Sequence, residues 1–211
     1  MKSKPKIVVV VLVLMFLTNC PSDTEVPNTK SGPIKIIIPK REFGDLKKAV
    51  DWGASQGSLG VLRKKRFGPD DFEARIWISE GVGKRVGTSG IALLKERRKW
   101  SATYVDRMFL NDMTHENRSA VPRSEFEVLW RKLERAGITE LPDSRDLKDY
   151  EGEKYLDSYQ YVIEYNKDGV YRVYSYYAPG GDRHEQSRRV CVIGDIIASE
   201  FGLEEFKCDA G

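Results

Sequence analysis

The segment Gly53-Ala54-Ser55-Gln56-Gly57 matches G-x-S-x-G. In α/β-hydrolases this pattern holds a serine hydroxyl on a strained turn between a strand and a helix, where a histidine can activate it for acyl transfer. By chain order His184 would be the base and Asp146 its orienting acid. The flanks do not fit that mechanism. Asp45 to Trp52 has helical spacing, and Ser58-Leu59-Gly60 reads as a loop. The alternation of strands and helices that builds a parallel sheet is also missing. Ser55 is therefore not assigned as a nucleophile, and no catalytic residue is named.

Other chemistry-bearing patterns fall short in similar ways. Gly81-Val82-Gly83-Lys84-Arg85-Val86-Gly87 follows a strand, but its third glycine comes one residue late for a dinucleotide fingerprint. No Gly-Lys-Ser/Thr of a P-loop is present, so a basic turn between strands is expected. The chain has two histidines, His115 and His184, and no cysteine pair at ligand spacing. Asp143, Asp146, Asp149, Glu151 and Glu153 do not follow the calcium-loop pattern and lack its glycine. They read as a solvated loop, from which only the fold could assemble a catalytic pair. No cofactor, metal or nucleic acid is expected.

The chain opens with Lys2, Lys4 and Lys6, followed by an apolar run from Ile7 to Leu17. A helix that crosses a bilayer needs about 20 apolar residues, so this run is too short to span. A basic start and a short apolar stretch form a secretory signal, here residues 1–19. The run ends Leu17-Thr18-Asn19-Cys20, and the first Ala of the chain is Ala49, so the usual small-residue cleavage site is not met. These four residues resemble the lipobox of bacterial lipoproteins, with Asn19 standing where that family prefers Gly, Ala or Ser. The resemblance covers the signal only. It implies cleavage before Cys20 and a diacylglycerol on its sulfur, hence a membrane-anchored envelope protein or, without the lipid, a secreted or periplasmic one.

Loss of the signal lysines leaves a formally neutral mature chain, because the full sequence has 35 Lys+Arg against 32 Asp+Glu. Neutrality removes the electrostatic case for nucleic acid. Residues 20–33 are polar and proline-containing, the composition of a flexible tether. Residues 34–211 are expected to form one domain, large enough to bury a core without metals. Cys191 and Cys208 lie within it, 17 residues apart, and an oxidising envelope permits them to pair.

The elements follow from hydrophobic spacing. Ile34 to Ile38 is a short candidate strand. Phe72 to Ile78 alternates, with Phe72, Ala74, Ile76 and Ile78 on its apolar side. Residues 91–105 favour a hairpin over one long helix. Ser124 and Glu127 form a capping box before Phe126, Leu129, Trp130 and Leu133, and Gly137 should end that helix. Asn166-Lys167-Asp168-Gly169 suits a type I turn, pairing Tyr165 with Tyr171 and Glu164 with Arg172. His184 to Phe201 reads as a second helix. The expected fold class is α+β: an antiparallel sheet of about five strands with two main helices packed on one face.

In that register Ile163, Tyr165, Tyr171 and Val173 face the core, while Arg172, Tyr174 and Tyr176 point outward. Tyr and Arg are enriched at binding hot spots, so these three make a candidate recognition patch for an unknown protein partner. The function expected is that of a binding module, with an envelope hydrolase using Ser55 or an inhibitor of an exported enzyme as alternatives.

Overall fold

The computed structural model describes residues 33–37, 50, 51, 53–55, 58–80, 87–109, 117–150 and 159–208, all within the unit Ser31–Gly211. The signal, Cys20, most of the tether, the glycine turn at 81–86, His115, Glu151 and Glu153 lie outside the described residues. Seven strands form one sheet: β1 Lys35–Ile37, β2 Phe72–Glu80, β3 Gly87–Glu96, β4 Lys99–Phe109, β5 Asn117–Ala120, β6 Gln160–Lys167 and β7 Val170–Tyr177. Their spatial order is β1-β7-β6-β2-β3-β4-β5. Neighbours are antiparallel except β1 and β7, which are parallel. The α+β class is as expected. The strand count exceeds it because the sheet carries short edges, and β5, Asn-Arg-Ser-Ala, has no apolar alternation to announce it.

Two helices, α1 Phe126–Ala136 and α2 Glu185–Phe201, cover one face. Leu129, Trp130 and Leu133 of α1 and Val190, Ile193 and Ile197 of α2 pack there on Phe72, Ala74, Ile76 and Ile78 of β2. Gly137 is left-handed, at φ 91°, and Ile138 N–H reaches back to the Leu133 carbonyl, so α1 ends as its sequence indicates. Its start differs from the expected capping box. The cap residue is Glu125, and its side chain makes no capping bond. Ser124 N–H donates instead to Glu200 at 2.8 Å, while Glu127 accepts from Trp100 Nε1 at 2.7 Å. Tertiary bonds to α2 and β4 have replaced the local box.

β3 and β4 form the expected hairpin. Its turn is Arg97-Arg98, both left-handed, a conformation that L-residues other than Asn and Asp seldom adopt. Asp71 accepts the Arg97 amide at 2.7 Å and helps hold the turn. The β6–β7 hairpin corrects the sequence expectation. Its turn is two residues long, with Asp168 and Gly169 both left-handed, at φ 51° and 73°. That pairs Lys167 with Val170, Tyr165 with Arg172, and Glu164 with Val173. A slip of one residue exchanges the two faces of a strand. Tyr174 and Tyr176 therefore enter the helix-side core, while Tyr171 and Val173 face the other way.

The face away from the helices is also covered. Val50 and Leu62 pack there on Trp77, Val105, Val162, Tyr171 and Val173. They belong to a strap, residues 50–67, of which 50, 51, 53–55 and 58–67 are described. This explains why Phe72 to Ile78 is buried at every position: β2 is central and sandwiched.

The Cys191–Cys208 disulfide is formed, with its Cα atoms 5.1 Å apart. It fastens the C-terminal tail to α2 after Phe206 has inserted into the core. Among the described residues no helix is long and apolar enough to cross a membrane.

Candidate functional site

The densest group of buried polar side chains lies beneath the strap, on strands β2, β6 and β7. Register brings it together: Arg75 stands opposite Glu164, and Glu73 opposite Asn166. Alternation then turns all four toward the strap together with Trp77 and Tyr171. Arg75 is fully buried. Its Nε donates to Glu73 at 2.7 Å, while its two terminal nitrogens donate to the carbonyls of Gly60 at 2.9 Å and Leu59 at 3.1 Å. Glu164 takes one bond on each oxygen, from Trp77 Nε1 and from the Tyr171 hydroxyl, both at 2.9 Å. Lys65 reaches Glu73 at 2.5 Å from the rim, and Asn166 donates to the carbonyls of Leu62 and Lys65.

Burial pushes the Glu164 carboxyl above its ordinary value, against the opposing pull of Arg75 and the two donated bonds. Burial likewise pushes the Tyr171 hydroxyl up, with the Glu164 charge adding to it. A buried carboxylate of this kind is a frequent mark of a functional site. Here its bonds have a structural use as well. Arg75 and Asn166 grip four strap carbonyls, so the cluster docks residues 59–65 on a sheet that offers them no strand to pair with.

Ser55 is exposed, and the described residues 50, 51 and 53–55 are helical. The described residues just before it are helical and form no strand, and the neighbouring Gly53 packs against the Trp77 ring. His184 lies at the start of α2, a helix on the opposite face of the sheet from Trp77. Ser55 and His184 are thus not brought together. Asp146 is exposed in a 3-10 turn, Ser144–Asp146, and the carboxylate beside His184 is Asp182, at 2.7 Å. Asp143, from the acidic stretch, bonds Arg145 and the Ser175 amide, closing part of the β7 edge.

The proposed patch of Arg172, Tyr174 and Tyr176 is overturned. Tyr174 is 2 % exposed and Tyr176 0 %. Their hydroxyls donate to the carbonyls of Ile138 and Pro142, and Arg172 donates to those of Thr139 and Leu141. These three residues secure the loop after α1, and the two tyrosines are buried rather than displayed. Among the described residues no group of three His, Cys, Asp or Glu is placed to hold a metal ion.

Sequence reasoning missed Arg75, Glu164 and Trp77. Charged residues alternating with apolar ones read as a solvent face, and nothing local in β2 indicates that residues 59–65 will cover it. No known family, curated protein or solved structure matches this chain.

Proposed function

We propose that the chain is an exported envelope protein, held to its membrane through a lipid on Cys20, and that it acts by binding a partner. The observation that carries the export reading is the Cys191–Cys208 disulfide. Such bonds persist in oxidising compartments and are rare in the cytosol. The lysine-led apolar run and Leu17-Thr18-Asn19-Cys20 supply the matching address. Binding is favoured over hydrolysis because Ser55 and His184 lie on different faces of the sheet, and because Asp143, Asp182 and Glu164 are engaged in structural bonds.

Fractionation of cells expressing the tagged chain, followed by thiol counting without reductant, tests this. The expected result is a membrane-bound protein, released by detergent, whose Cys191 and Cys208 resist alkylation. A soluble protein with both thiols reduced would contradict export. Labelling of Ser55 by a fluorophosphonate would contradict the binding role.

A further inference from the structure

His184 presents both ring nitrogens to acceptors. Nδ1 lies 2.7 Å from Asp182 Oδ1, and Nε2 lies 2.9 Å from the Lys148 carbonyl. A neutral imidazole has one N–H and can serve only one of these acceptors, whereas the imidazolium serves both. The two contacts differ in how firmly they are held. Asp182 Oδ1 also accepts the His184 backbone N–H at 2.8 Å and the buried Ser187 hydroxyl at 2.9 Å, so the carboxylate and ring stay together. When the ring loses its proton, Nε2 turns a lone pair toward the lone pairs of the Lys148 carbonyl. That contact is the one that must open.

We propose that His184 is a proton-operated latch that fastens residues 147–150 to the start of α2. Leu147 and Tyr150 of this segment also pack against the helix-side core, so the latch governs its exposed middle, Lys148 and Asp149. Asp149 is left-handed at φ 59°, and the Tyr150 hydroxyl donates to the Tyr177 carbonyl. The Tyr150 ring lies 6.1 Å from the imidazole, and its other aromatic neighbour is Tyr176. Several charges act on the ring. The bond to Asp182 and then the Lys148 carbonyl raise its pKa above the ordinary 6.5, while Arg183 and the positive end of α2 oppose them. Burial raises Tyr150 and Tyr176, so both stay neutral across the range in which His184 titrates. A base raised in the folded state contributes its stability below the ordinary value and loses it as pH climbs through the folded one. The latch is closed in acid and opens toward alkaline pH. It needs no lipid and no partner, so it stands apart from the envelope reading.

Proton NMR of the histidine Cε1–H signals, with His115→Gln for assignment, gives the midpoint. Trypsin cleavage after the exposed Lys148, scaled to an unstructured peptide at each pH from about 6 to 9, reads the opening. The expected result is a His184 midpoint above 6.5, with cleavage of the native protein rising through the same midpoint. His184→Gln keeps one amide donor for Lys148 at every pH, so its cleavage profile should be flat. Asp182→Asn should move the NMR midpoint down. A His184 midpoint at or below 6.5, or the same pH profile in native protein and His184→Gln, overturns the latch.

Discussion

Trp77 lies against Gly90, its partner across β2 and β3, so closely that a Cβ added there would stand 2.2 Å from the ring atom Cε3. On the strap side a Cβ on Gly53 would stand 3.0 Å from Cζ3 of the same ring. The indole fills the space two absent side chains leave, and its N–H reaches Glu164. The first glycine of the hydrolase-like pattern is thus a seat for Trp77.

Gly90→Ala should destabilise the domain by about 1–3 kcal/mol, the usual cost of overpacking a tight core. The ring cannot slide away without losing its bond to Glu164. Urea unfolding followed by tryptophan fluorescence measures the change, and an unaltered midpoint would show that the contact is loose.

Arg75→Ala removes the cation from between Glu73 and Glu164 and frees the strap carbonyls of Leu59 and Gly60. Glu73 keeps Lys65, but Glu164 is left without its cation, and breaking a buried ion pair costs about 3–5 kcal/mol. Lys65→Ala removes a half-exposed partner of Glu73 at the rim and should cost at most about 1 kcal/mol. Equal losses in the two variants would mean that the cluster is open to solvent.

The β6–β7 register makes a demand on the tyrosines. Tyr174→Ala should cost about 3–5 kcal/mol, in line with truncation of a buried aromatic. Tyr174→Phe should cost about 1 kcal/mol, for the lost bond to the Ile138 carbonyl. Tyr177 is 37 % exposed, and Tyr177→Ala should stay within about 0.5 kcal/mol. Thermal melts of the three variants rank them directly, and a harmless Tyr174→Ala would contradict the register.

Replacing both Cys191 and Cys208 by serine should cost about 3 kcal/mol, the loop-closure value for a separation of 17 residues. The fold should survive, because Phe206 is buried independently and its carbonyl accepts from Tyr161. Denaturant midpoints of the oxidised native protein and the double variant check this.

The sequence made the elements more legible than their pairing. β2 and both helices announce themselves through spacing, and Gly137 and Gly202 mark where the helices end. The turn at Asp168-Gly169 was legible as a turn but not as one with both residues left-handed. Asp is compatible with either geometry, and that single choice decided which face Tyr174 occupies. β5 was invisible because its pairing with β4 comes from the sheet and not from its own polar residues. The Arg75–Glu164 pair depends on residues 89 positions apart in the chain, brought opposite each other by register. The disulfide was within reach of simple geometry, since the tail after Phe201 is long enough to return along α2.

Mass spectrometry of the N-terminal peptide of the protein purified from membranes tests the central claim most directly. The mature chain should begin at Cys20 and carry a diacylglycerol on its sulfur, and Cys20→Ala should leave the precursor uncut or release the protein. A chain that still begins at Met1, or one cut elsewhere with Cys20 unmodified, would contradict it.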